Sequence, residues 1–228
     1  MDEDRQETRR GEAEALLRRV FGCPADLAGR ILLEGRVRQY AVRSAIVRQG
    51  DRVAFFYVVV DGRAHALVYS LEGQPVLLQE YRPGDVFGSV GVDESAHHEA
   101  DVVAVEALAA FLLESGVLAL LAERHGCIGL ALLRLTMERL QRTSRRIYEH
   151  AALSAAGRVH AKLLELARGA PDLTIRPSPV LSEIALQVST TRETVSRTVS
   201  ALERRGIVRR DRGGLAIVAP QRLEEMIL

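Results

Sequence analysis

Long apolar runs, a cysteine framework and catalytic signatures are all missing from this chain of 228 residues. No apolar run reaches the roughly 20 residues that a helix needs to cross a bilayer. The opening MDEDRQETRRGEAEALL turns acidic directly after Met1 and lacks the apolar core and small-residue cleavage site of a secretory signal, so a cytoplasmic location is expected and no membrane partner. Cys23 and Cys127 stand far apart with no CxxC or Cys/His spacing, which points to two reduced thiols and to neither a disulfide framework nor a zinc site. There is no Walker loop, no G-x-S-x-G, no HExxH and no carboxylate pair on a recognisable scaffold, so neither an enzyme nor a metal protein is expected. Lysine is nearly absent too. Lys162 is the one lysine among 31 basic residues, a bias expected of a GC-rich genome.

What is present is an ordinary globular composition, 47% apolar and 27% charged, with length enough for two domains. The net charge of +1 excludes a polybasic chain, yet the charge is uneven: residues 151–228 hold 12 basic against 8 acidic side chains, leaving 19 against 22 for the rest. Between Val188 and Arg212 the basic excess sharpens, and a local basic surface suits a polyanion.

From Val37 to Val92 glycines recur in QGD, DGR, EGQ and PGD, at Gly50, Gly62, Gly73 and Gly84. Short β-branched or apolar runs such as FFYVVV lie between them, which predicts an antiparallel roll or barrel, with Val102 to Leu113 adding the last strands. A long helical segment is expected over 117–151. Along it Leu130, Leu133, Met137, Leu140, Ser144, Ile147 and Ala151 follow alternating steps of three and four, a coiled-coil seam whose economical partner is the same helix of a second subunit. Leu132 and Leu135 lie off the seam and suit packing on the β domain.

Beyond it, Ala155 to Arg168 is another amphipathic helix, and LSEIALQV a short one with Ser182 as its candidate cap. Then comes STTRETVSRTVSALERRG, Ser189 to Gly206. Val195, Val199 and Leu202 can bury one stripe of a helix, while Arg192, Glu193, Ser196, Arg197 and Ser200 occupy the opposite face. Two short helices joined by a tight turn make a helix-turn-helix, and IVRRDRGGLAIVAP after it forms strand, Gly-Gly turn, strand: a basic wing. The polar face of the second helix is then kept for base edges in a DNA major groove.

The winged helix with TRETVSR (Thr191 to Arg197), the GR at Gly157 and Arg158, and PGDVFG at Pro83 to Gly88 together resemble the Crp/Fnr family of bacterial transcription regulators, over about Phe21 to Ala219. The fold class implied is α+β: an N-terminal tail over 1–20, a cyclic-nucleotide-binding-like antiparallel β-roll over 21–116, a dimerisation helix over 117–151 and a winged helix-turn-helix over 152–228. The resemblance implies a homodimer on double-stranded DNA, at a palindromic site related to TGTGA, with RNA polymerase as a further partner. Arg192, Glu193 and Arg197 match the family's base-reading trio. Thr191 and Ser200 are better placed for phosphates, and Arg209, Arg210 and Arg212 on the wing add attraction that ignores sequence. Ser189 stands at the turn where many such motifs have glycine, a strained choice if the backbone needs positive φ.

The effector cassette departs further. Where nucleotide-binding relatives have a glutamate after FG, Phe87 and Gly88 are followed by Ser89. The later Arg-Ser pair that neutralises a cyclic phosphate falls on His98 and Glu99 by one count, and its arginine on Glu99 by another. Repulsion between Glu99 and a cyclic phosphate argues against cyclic AMP. Thr143 and Ser144, which interrupt the seam with hydroxyls, match the family's purine contacts, so the degenerate pocket comprises Gly88, Ser89, His98, Glu99, Thr143 and Ser144, and its effector is unknown. Some relatives bind haem through His or Cys, and His97 or His98 with Cys23 or His125 are the side chains available for that. A His-His pair in a polar loop is ordinarily solvated surface, however, and no cofactor is expected.

Overall fold

The segment before Phe21, expected as a tail with a packed helix as the other possibility, is a helix. In the computed structural model, which describes residues 2–90, 95–211 and 213–227, α1 spans Asp2–Phe21 and α2 spans Ala25–Glu34. Ala13, Leu16, Leu17, Val20 and Phe21 recur at helical spacing and are buried, which supplies the apolar stripe that a tail would lack. Two units make up the chain, Met1–Arg139 and Leu140–Leu228.

In the first unit, β1 (Arg36–Tyr40), β8 (Leu108–Glu114), β3 (Phe55–Asp61) and β6 (Val86–Gly88) form one antiparallel sheet in that order. A second sheet has the order β2 (Ala45–Val47), β7 (Asp101–Ala104), β4 (Ala64–Tyr69) and β5 (Pro75–Tyr81). The period of two along a strand divides the core. Phe56, Val58 and Val60 of β3, with Ala109, Phe111 and Leu113 of β8, join the core that α1 and α2 cover. Tyr57, Val59, Leu108, Ala110 and Leu112 point the other way, into the interior of the roll with Tyr40, Tyr81 and Phe87. That is why both strands are apolar throughout instead of alternating. The four glycines of the ladder all adopt positive φ. At Gly62 nothing larger fits, because a Cβ would lie 2.2 Å from the Ala107 carbonyl oxygen.

The single helix expected over 117–151 is two, α3 (Ser115–Arg124) and α4 (Gly126–Ala152), with a bend of 117° between them. His125 between them is extended, with φ −128° and ψ 97°, and its N–H returns to Leu121 O. Gly126 follows, with little helix propensity of its own. The bend brings Leu118 of α3 and Ile128 and Ala131 of α4 into one core, where Leu132 and Leu135 also pack. Leu130, Leu133, Met137, Leu140, Ser144, Ile147 and Ala151 are instead all exposed on the single chain. Among the described residues no single helix is long and apolar enough to cross a membrane.

The second unit packs α5 (Ala155–Ala167), α6 (Leu181–Gln187), α7 (Arg192–Arg204) and α8 (Pro220–Glu225) against a small sheet of β10 (Val208–Asp211), β11 (Gly214–Ile217) and β9 (Thr174–Ile175). Its core holds Val159, Leu163, Ile184, Val195, Val199, Leu202 and Leu223. Ser154 caps α5 by accepting from Gly157 N at 3.0 Å. Ser182 does not cap α6: the cap position is Val180, with no side-chain bond, and Ser182 lies in the first turn. Val180 is extended, with φ −76° and ψ 113°, and occupies the cap position itself, so the helix begins two residues earlier than a serine cap would set it.

Candidate nucleic-acid interface

The turn between α6 and α7 has the geometry of a Schellman stop. Ser189 N donates to Leu186 O and Thr190 N to Ala185 O at 2.9 Å, and Ser189 takes φ +49°. The same pattern closes α7, where Gly206 N donates to Glu203 O and Ile207 N to Leu202 O, with Gly206 at φ +65°. One stop uses glycine and the other serine, so the strain anticipated at Ser189 is real, costing about 1 kcal/mol. Thr191 then caps α7, its Oγ1 accepting from Thr194 N at 3.2 Å. Val195, Val199 and Leu202 are buried beneath the helix.

That burial decides what faces outward. Arg192, Glu193 and Arg197 are exposed, and Arg197 Nη2 donates to Thr194 Oγ1 at a long 3.4 Å, which leaves most of its fork for other acceptors. Thr191 is exposed beside them, and its Oγ1, besides accepting the cap bond from Thr194 N, shares a hydrogen bond with Thr194 Oγ1 at 3.1 Å. Ser200, one turn on, is half-buried. On the wing Arg209 and Arg210 are exposed, and Arg210 Nε lies 3.4 Å from Glu203 Oε2. An exposed pair of this kind contributes about 0 to 1 kcal/mol and yields readily to a phosphate. Arg212 lies outside the described residues.

One residue escaped assignment from sequence. Arg158, half-buried in the first turn of α5, donates from Nε to Val188 O at 2.9 Å, from Nη1 to Leu153 O at 3.0 Å and from Nη2 to Ser189 O at 3.3 Å. The signal available was a lone charge between Gly157 and Val159, both buried. Gly157 itself is fixed by space, since a Cβ would meet Ile227 O at 2.5 Å.

A buried apolar stripe, a capped helix presenting arginines and a flanking basic hairpin correspond to a winged helix-turn-helix. Residues 157–226 match the Crp-like helix-turn-helix domain, and residues 32–125 the cyclic nucleotide-binding domain. The cyclic AMP receptor protein of Thermus thermophilus is 30% identical over 191 residues, covering 83% of this chain and 87% of that protein. This chain belongs to the Crp/Fnr family. It is a DNA-binding transcription regulator of that family. The cAMP-activated global transcriptional regulator CRP of Salmonella typhimurium is 28% identical over 178 residues, 75% of this chain and 84% of that protein. In fold, the chain is similar to a CooA mutant from Carboxydothermus hydrogenoformans, with TM-score 0.76 at 20% identity over 87% of this chain and 90% of that one.

In the roll, Phe87 is buried and stacks on Tyr57 with centroids 4.5 Å apart. Burial pushes the Tyr57 hydroxyl pKa up to about 12, so the ring enters this core neutral. Gly88 pairs with Phe56 at φ +100°, and a Cβ there would lie 2.2 Å from Phe55 O, so its glycine is needed for backbone approach whatever the pocket holds. Ser89 follows, half-buried. The His-His segment is fastened to the QGD turn, with Gly50 N donating to His98 O and His98 N to Asp51 O, each at 2.9 Å. His98 is half-buried, and burial lowers its pKa against the opposing pull of Asp51, so the ring is neutral at pH 7. Glu99 is exposed, and Asp101 just beyond accepts from Gln49 N at 2.8 Å. Neither candidate for the arginine position therefore carries a positive charge. Thr143 and Ser144, on α4 in the second unit, are exposed. His97 is exposed, His125 half-buried and Cys23 buried, its thiol pKa raised mainly by burial. Among the described residues no group of three or more His, Cys, Asp or Glu is placed to hold a metal.

Proposed function

We propose that this regulator works as a cytoplasmic homodimer that reads a palindromic, TGTGA-like site through Arg192, Glu193 and Arg197, and that cyclic AMP is not its effector. The reading is carried by one observation: the polar face of α7, held outward by burial of Val195, Val199 and Leu202, presents two arginines and a glutamate with their hydrogen-bonding ends in solvent. An arginine fork matches O6 and N7 of guanine, and a glutamate accepts from the cytosine amino group. The exposed leucine seam of α4 supports a two-fold dimer, whose symmetry a palindromic site would mirror. Thr191, Ser200, Arg209, Arg210 and Arg212 serve the phosphates in this scheme, and the bound dimer recruits or blocks RNA polymerase.

The lack of positive charge at His98 and Glu99 supports independence from cyclic AMP, and it leaves either a different ligand or a dimer already set for DNA. No cofactor is needed in this scheme. Arg192→Ala and Arg197→Ala should each weaken binding to the palindrome by about 1 to 3 kcal/mol and flatten the preference over a scrambled duplex. Arg210→Ala should weaken both duplexes alike. Equal losses on the two duplexes for Arg197→Ala, read by fluorescence anisotropy at fixed salt, would refute this placement of the reading face.

A further inference from the structure

Three backbone carbonyls converge on one guanidinium in the second unit, and two of them flank a single strained residue. The carbonyl of Val188 belongs to the peptide plane before Ser189 and the carbonyl of Ser189 to the plane after it, so the pair defines the backbone rotation at Ser189. Arg158 donates to both, at 2.9 and 3.3 Å, and Ser189 sits between them at φ +49°. A residue with a Cβ is unfavourable there, whereas the equivalent stop of α7 relies on Gly206. The cation also faces the C-terminal end of α6, where free carbonyls carry partial negative charge. Its third bond, to Leu153 O at 3.0 Å, reaches the residue that joins α4 to the Ser154 cap of α5.

We propose that Arg158 is a positioning residue for DNA reading, a clip that holds Ser189 in its left-handed conformation and thereby sets the direction in which α7 leaves the turn. With serine at the turn in place of the glycine its geometry favours, the clip's hold on the two flanking carbonyls offsets the strain. Thr191, the cap of α7, is two residues from Ser189, so relaxation of Ser189 to negative φ would swing Arg192, Glu193 and Arg197 together. The core below α7 would still hold the helix but at an altered pitch, and what suffers is registration with base edges more than general attraction to DNA. Through Leu153 the same guanidinium ties the end of α4 to the reading turn. This inference rests on α7 being the reading helix.

The test is a double substitution. Wild type, Arg158→Ala, Ser189→Gly and the double variant are titrated by fluorescence anisotropy against the duplex that the wild-type protein enriches from a random-sequence pool, and against its scrambled counterpart, with thermal unfolding of each. Arg158→Ala is expected to lose about tenfold of the preference between the duplexes, the equivalent of about 1.4 kcal/mol. Ser189→Gly alone should keep the preference. The double variant should recover it to within about threefold of wild type, because glycine holds positive φ without a clip. Arg158→Lys, whose ammonium is a point charge and not a fork, should fold even if the alanine variant does not, and should show a smaller loss that Ser189→Gly also repairs. Full preference in the arginine variants would overturn the proposal, as would a loss that Ser189→Gly leaves unrepaired. Arg197→Ala, run alongside, separates the two readings: its failure to change the preference would count against the reading face, while the repair at position 189 tests the clip.

Discussion

If two chains pair along the α4 seam as proposed, replacing Leu133 by alanine should weaken that pairing without unfolding the chain. On the single chain Leu130, Leu133, Leu140 and Ile147 retain 69, 59, 56 and 65% of their exposure, a density of apolar surface on one helix face that calls for a partner. Full burial of a leucine contributes about 1.5 to 3 kcal/mol, so the portion that Leu133 still has to bury is worth about 1 to 1.5 kcal/mol. In a two-fold dimer the residue occurs twice in the interface, which doubles the loss to about 2 to 3 kcal/mol. The subunit dissociation constant should therefore rise by roughly 30- to 150-fold. Sedimentation velocity over a concentration series measures it directly. Leu133 adds nothing to the core that Ile128 and Ala131 fill, so thermal unfolding of the dissociated variant should keep the roll transition. A wild-type chain that sediments as a monomer at micromolar concentration would refute the reasoning, as would a dimer indifferent to the substitution.

Glu80 offers a pH-dependent check on the roll. Its carboxyl is held down at about 2, first by His65, whose Nε2 lies 3.5 Å away, and then, against opposing burial, by Arg82 at 2.6 Å. The folded value lies below the ordinary 4.5, so the stabilisation is full above pH 4.5 and is lost as pH falls toward 2. Up to about 3 kcal/mol is at stake, and urea unfolding should show the gap between wild type and Glu80→Gln closing over that window; a constant gap would count against it. In the effector cassette, Ser89→Glu together with Glu99→Arg should raise cyclic AMP affinity by about tenfold or more, since a repelling charge becomes an attracting one. Tight binding of cyclic AMP to the unmodified protein in calorimetry would contradict the pocket reading.

The parts of the fold legible in sequence were those set by periodicity and punctuation. The glycine ladder marked turns that do require positive φ, and the three-four spacing of the α4 leucines separated an exposed seam from Leu132 and Leu135, which pack on the roll as expected. Val195, Val199 and Leu202 gave away the buried side of α7 for the same reason. The break at His125 did leave a mark, Arg124 and His125 followed by Gly126, the pattern of a helix stop, but apolar residues on both sides of it also suit one continuous helix, and the bend accompanies burial of Leu118 and Ile128 in one core. The N-terminal helix was obscured by a charged first half, with its apolar stripe confined to residues 13–21. Ser182 misled because a serine near a helix start is a good cap only if the chain's entry angle allows it. Arg158 was invisible as a site, since its partners are carbonyls and backbone groups carry no sequence signal.

Sequence-specific reading without cyclic AMP is decided by anisotropy titration of the ligand-free protein against a TGTGA-type palindrome and a scrambled duplex, at fixed salt and with or without cyclic AMP. Tight binding that depends on sequence and is indifferent to cyclic AMP is expected. Binding that discriminates between the duplexes only when cyclic AMP is added would contradict it.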